Sequence, residues 1–133
     1  MATTRHQVRQ GAFQVLFALQ SNLDADPDLV CQQISEEEFG LESVLEYMQT
    51  LVHGVLEHQA EIDSFLETHL NSKWSLDRLS KTDLLILRIA VFEIKFESET
   101  PDKVALNEAL ELAKAFSDDK SRRFINGVLS NLL

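Results

Sequence analysis

Residues 116 to 129 read FSDDKSRRFINGVL and set Lys120, Arg122 and Arg123 between Phe116 and Phe124. Cations beside aromatics suit a single-stranded nucleic acid. The charged groups neutralise phosphates, and an exposed aromatic face stacks an unpaired base at ~1–3 kcal/mol. A helix that begins near Ser121 carries Arg122 and Arg123 in its first turn, where the dipole disfavours positive charge by ~0.3–1 kcal/mol. An anion reverses that sign, because unpaired first-turn N–H groups, the Ser121 hydroxyl and the cations would converge on one phosphate. The same residues also fit two core phenylalanines flanking a solvated turn in which Asp118 and Asp119 offset the cations. Phe116 and Phe124 fall on the apolar faces of their helices. Spacing alone leaves both readings open.

Catalytic chemistry finds less support. Gly11, Gly40, Gly54 and Gly127 are isolated from one another, so no phosphate-cradling glycine loop exists. His53, Glu57, His58 and Glu61 share a helical stretch, but the histidines lack the i, i+4 spacing that aims two imidazoles at one metal. A solvated face is expected there, with no metal. Cys31, the only cysteine, has no identifiable base and no disulfide partner, and reads as a small buried apolar residue. The run SEEEF (35–39) reads as solvated charge. No catalytic residue and no cofactor are expected.

The elements that must position these side chains have helical spacing. Val8, Ala12, Val15, Leu16 and Leu19 share one face of a first helix, flanked by Phe13 and Phe17. Asp26-Pro27 starts a second with a capping residue before a proline. Apolar positions from Leu41 to about Leu70 keep mostly helical spacing, with Gly54 marking a break or a close contact. Ser80-x-x-Asp83 resembles a capping box before the run LLILRIAVFEIKF (84–96), which is apolar nearly all round and is expected at the centre. Thr100-Pro101 repeats the cap-then-proline signal before Val104, Leu106, Ala109, Leu110, Ala113 and Phe116. A final helix takes Phe124, Ile125, Val128, Leu129 and Leu132.

The 133 residues are the length of one domain, with 44% hydrophobic and 26% charged residues as in globular proteins. The N-terminus lacks the apolar core of a secretory signal, and the run 84–96 carries Arg88, Glu93 and Lys95 and is shorter than the ~20 residues that span a bilayer. A cytoplasmic protein is expected. A net charge of −10 argues against nucleic acid until its distribution is considered. Residues 10–72 contain twelve acids and no Lys or Arg, whereas Arg5 and Arg9 precede them and acids and bases balance from 73 onward. The cations lie toward the two ends.

The C-terminal third, PDKVALNEALELAKAFSDDKSRRFINGVLSNLL, resembles the P-x-x-V-A-x-N-E-A-x-E-L-A-K-x-F…S-x-x-F-x-N-G-V-L pattern of the NusB family of transcription antitermination factors. DLLILRIAVFEI (83–94) resembles that family's central helix with its LR-x-A-x-x-E core, and RHQVRQGAFQVLFALQ (5–20) its arginine-bearing first helix. The blocks follow the family's order over nearly the whole chain. The resemblance implies an all-α fold of six to seven helices in two small packed bundles, forming one RNA-binding domain over residues 1–133. It implies a factor that binds boxA-type single-stranded RNA together with the ribosomal protein NusE, in the antitermination complex of RNA polymerase on ribosomal RNA genes.

Carried over by motif position, the RNA-contacting residues correspond to Arg5, His6, Arg9, Phe116, Lys120, Ser121, Arg123 and Phe124, and the partner-binding residues to Phe17 and Asp83. An acidic Asp83 suits a basic ribosomal protein; it equally suits a helix cap. The chain departs from the family in a thinner arginine cluster before the first helix and in Lys120, where an acid is common. The first departure weakens RNA binding and the second strengthens it. The alternative is a helical interaction scaffold, pairing with NusE or with itself as a homodimer, with weak RNA contact. NusB-like domains also occur fused to RNA methyltransferases, but no cofactor-binding segment is visible here, so an enzyme is not expected.

Overall fold

The computed structural model describes residues 5–39, 45–70, 75–97 and 100–132. Its elements are α1 (Arg5–Ser21), α2 (Pro27–Ile34) continuing into a π turn (Ser35–Phe39), α3 (Leu45–Glu57), α4 (Gln59–His69), a 3-10 turn (Leu76–Arg78), α5 (Lys81–Lys95), α6 (Asp102–Phe116) and α7 (Asp119–Leu132). Among the described residues there are seven α-helices and no strand, as the helical spacing requires.

Helices α1, α2 and α3 pack together, α4 to α7 pack together, and α5 touches members of both groups. That position explains its lack of sidedness: every residue from Leu85 to Glu93 is buried. Apolar side chains of both groups merge into one cluster. The expected α1 face of Val8, Ala12, Val15, Leu16 and Leu19 is buried with Phe13. Asp26 caps α2 by accepting the Asp28 N–H at 3.0 Å, and Ser80 caps α5 by accepting the Asp83 N–H at 3.1 Å. Arg88 donates to both carboxylate oxygens of Asp63 at 2.9 Å and ties α5 to α4. No described helix is long and apolar enough to cross a membrane.

Of two local expectations, one is resolved and one is corrected. The break in the run 41–70 falls at His58, between α3 and α4, and Gly54 lies inside α3. Gly54 is the close contact instead: the Phe92 ring of α5 occupies the place where a Cβ would stand. Thr100 does not cap α6, whose cap position is Pro101. The Thr100 side chain is buried and its hydroxyl faces Glu93 at 3.4 Å, because an interior carboxylate needs donors more than an exposed helix end does. Leu41 and Val44 lie outside the described residues.

Candidate nucleic-acid interface

The burial of Val8 and Ala12 fixes the rotation of α1, and that rotation turns Arg9 inward. Arg9 is 2% exposed; its Nε donates to Glu93 Oε1 at 2.8 Å and its Nη2 to Oε2 at 2.7 Å. Glu93 Oε2 also accepts the Tyr47 hydroxyl at 3.0 Å. Burial lowers the Arg9 pKa, but the Glu93 hydrogen bond and charge, with smaller contributions from Tyr47 and Glu108, outweigh it and leave the value raised. Burial first, with the Glu93 charge in support, raises the Tyr47 phenol against the opposing Thr100 hydrogen bond and Arg9 charge. Arg9 was expected at the RNA edge and instead crosslinks α1 to α5, since a charge this deep must be paired.

Arg5 and His6 remain toward solvent. The Arg5 guanidinium lies 4.5 Å above the centroid of the Tyr47 ring. His6 Nδ1 lies 2.7 Å from Glu108 Oε2, and Arg9 Nη1 lies 3.8 Å from the same oxygen. Arg5, His6, Arg9 and Glu108, with Thr100, Pro101 and Val104, line an open depression of about 420 Å³.

At the other end of α6, helix α7 begins at Asp119, ahead of Ser121. Asp118 Oδ1 accepts the Ser121 N–H at 2.8 Å, so one donor expected to meet a phosphate is already engaged. That backbone hydrogen bond is the main reason the Asp118 carboxyl is held below its ordinary value of 3.8. Lys120 and Arg123 are exposed, and Ser121 is half-buried. Phe116 is half-buried and stacks on Phe13 with centroids 4.4 Å apart, and Phe124 packs partly against the core. Each phenylalanine therefore gives one side to the core and keeps another accessible.

The His6–Glu108 and Phe13–Phe116 contacts show α1 and α6 lying side by side and running the same way. Seven to eight residues at ~1.5 Å each separate these contacts, placing the Arg5–His6 group ~10–12 Å from Phe116. A depression of about 590 Å³ lies between α6 and α7, lined by Asn107, Glu108, Leu110, Glu111, Lys114, Asp119 and Arg122. Lys114 and Arg122 thus join the cations of this surface; Arg122 was already marked by the sequence as a first-turn cation, whereas Lys114 was not a candidate. The polar i, i+4, i+7 row of Asn107, Glu111 and Lys114 was the available signal. Tyr47, Glu93 and Glu108 carried no comparable signal, because their partners are distant in sequence.

Phe17 is 41% exposed and, with Phe13, Gln14, Ala18, Thr82 and Phe116, lines an apolar groove of about 350 Å³. Thr82, which precedes Asp83, lines this groove, but the Asp83 side chain is not part of the lining. Ser80 caps the Asp83 backbone, yet Asp83 Oδ1 is buried without a hydrogen-bond partner among the described residues, as is Gln14 Oε1. Phe116 borders both this groove and the basic turn.

The remaining candidates carry no reactive centre. His53 Nε2 contacts Asp28 at 2.6 Å, and His58 stacks on Phe96 with centroids 4.2 Å apart. No described cluster of three or more His, Cys, Asp or Glu could hold a metal ion. Cys31 is fully buried, and burial, with Asp28 and Asp26 adding, pushes its thiol up to about 12.

Comparison with known proteins gives concordant matches. The model of the NusB family matches residues 6–133. The transcription antitermination protein NusB of Lactiplantibacillus plantarum is 54% identical over 100% of this chain and 96% of its own length. That of Ligilactobacillus salivarius is 51% identical over 100% of both. Among solved structures, T. maritima NusB superposes with a TM-score of 0.87 at 32% identity, covering 99% of this chain and 92% of its own. A crystal structure of the antitermination factors NusB and NusE in complex with dsRNA gives 0.82 at 30% identity, covering 96% of each chain.

Proposed function

Because the chain belongs to the NusB family, we propose that it is a transcription antitermination factor that binds boxA-type single-stranded RNA together with NusE and supports ribosomal RNA transcription. The observation that carries this reading is the adjacency, at Phe116, of a turn with exposed Lys120, Arg122 and Arg123 and an apolar groove. Arg5, Lys114, Lys120, Arg122 and Arg123 supply the positive charge, His6 supplies a polar ring beside Arg5, and the accessible sides of Phe116 and Phe124 supply stacking surface. Arg9 acts from inside, by fixing the start of α1 against α5. Residues 1–133 work as one domain, in the cytoplasm, by binding and without catalysis.

The groove supports the partner assignment through its chemistry. Phe17 offers an apolar anchor site, and the acidic Asp83, next to groove-lining Thr82 in the chain, suits a basic protein such as NusE. A known relative binds NusE and double-stranded RNA, so the test must separate strandedness from sequence. Fluorescence anisotropy of labelled boxA RNA, scrambled RNA and a boxA duplex, each with and without NusE at several salt concentrations, does so. Selective binding of the single strand that tightens with NusE and has a log K against log salt slope of about −2 to −4 supports the reading. Equal binding of all three RNAs refutes it. The inward turn of Arg9 favours a second reading, a NusE-binding scaffold, which would bind NusE without preference for boxA.

A further inference from the structure

We propose that Tyr47, on α3, is a positioning residue for RNA: its ring holds the Arg5 guanidinium in place at the depression between α1 and α6. The inference rests on the RNA-binding reading above and adds to it a residue that lies outside every RNA-contacting motif.

The support is geometric. Arg5 opens α1, is exposed, and by itself samples many rotamers, a freedom lost when it closes on a phosphate. Tyr47 reduces that freedom with its ring face 4.5 Å from the guanidinium carbon. Stacking engages the flat face of a guanidinium and leaves its edge N–H groups directed sideways, where a phosphate is met. No described residue accepts a hydrogen bond from Arg5 within the chain. The ring is itself anchored: its hydroxyl donates to buried Glu93 at 3.0 Å and lies 3.5 Å from Thr100 Oγ1. Glu93 is also the carboxylate that grips Arg9, four residues from Arg5 on the same helix. One buried group therefore sets both the axis of α1 and the ring that carries its first cation.

The test is a double-mutant cycle read by RNA anisotropy in the presence of NusE, using Tyr47→Leu, Arg5→Ala, both together, and Tyr47→Phe, each first checked for a native melting transition. Tyr47→Leu should weaken RNA binding about two- to fivefold, the span of an exposed cation–π contact. It should also reduce the magnitude of the salt slope, as loss of Arg5 does. In the Arg5→Ala background it should change neither quantity, and Tyr47→Phe, which keeps the ring, should retain most of the affinity. A purely structural role would lower the melting temperature without coupling to Arg5. Wild-type binding to boxA with no Tyr47–Arg5 coupling overturns this inference alone. Absence of RNA binding by the wild-type protein with NusE overturns it together with the reading on which it rests.

Discussion

Replacing Arg9 by methionine keeps an unbranched chain of similar bulk in the core but leaves Glu93 without its cation. Glu93 and Arg9 are both buried and joined by two hydrogen bonds, at 2.8 and 2.7 Å. Removing one member of such a pair costs about 3–5 kcal/mol, because the remaining charge stays desolvated. A chain of 133 residues is typically stable by about 7–20 kcal/mol, so the loss is a large fraction of the total. Urea unfolding followed by helical circular dichroism, at about 2 kcal/mol/M, should show the midpoint falling by about 2 M. Arg9→Met combined with Glu93→Met should recover at least half of that loss, since neither charge is then stranded. The Arg9 pKa is raised in the folded state above its ordinary, already strongly basic value. The stability this group adds is therefore fully present below the unfolded guanidinium's pKa and lost only as pH rises through the higher folded value, so its contribution is constant from about pH 5 to 9. A cost under about 1 kcal/mol for Arg9→Met, or a double variant that equals the sum of the singles, would refute the buried-crosslink account. In the folded variant, the salt slope of RNA binding should stay at the wild-type value, because this guanidinium meets Glu93 and not a phosphate.

Two of the helical glycines, Gly54 and Gly127, should respond in opposite directions. Gly54→Ala would drive a Cβ into the Phe92 ring and should lower stability by about 1–3 kcal/mol despite the better helix propensity of alanine. Gly127→Ala meets nothing within 4 Å in the middle of α7 and should raise stability by about 0.5–1 kcal/mol; thermal melts of both variants provide the comparison. The depressed Asp118 pKa means that its cap contributes above the ordinary 3.8 and is lost as pH falls through the lower folded value. Protection of the Ser121 amide relative to its intrinsic exchange rate should fall only in acid, and Asp118→Asn should flatten that dependence. Cys31, with its thiol pushed up to about 12, should resist iodoacetamide at neutral pH until the protein is unfolded, so rapid native alkylation would contradict its burial. Phe17→Ala should weaken NusE binding while leaving melting little changed, as measured by titration calorimetry, because the ring is substantially exposed.

Helix positions were legible where one physical signal acts locally. The α1 face, the Asp26 and Ser80 caps and the uniform apolarity of α5 each depend on neighbours within a turn or two, and each forms as the spacing requires. The choice at Gly54 between a break and a close contact, and the failure of the Thr100 cap, turned on partners elsewhere in the chain, the Phe92 ring and Glu93; the start of α7 turned on a near neighbour, Asp118, whose carboxylate accepts the Ser121 N–H.

The candidate surface divides along the same line. Residue types and motif order in the sequence sufficed for the all-α class, the family resemblance, and the placing of cations and aromatics near the α6–α7 turn. Tertiary packing alone decided that Arg9 serves the interior while Arg5 rests on Tyr47. It also brought Lys114 and Arg122 to line a common depression and Phe17 to a groove at the head of α5. Helical periodicity specifies which residues share a face, but the partner that face meets depends on how helices distant in sequence cross. A guanidinium turns toward solvent or toward a buried carboxylate according to that crossing.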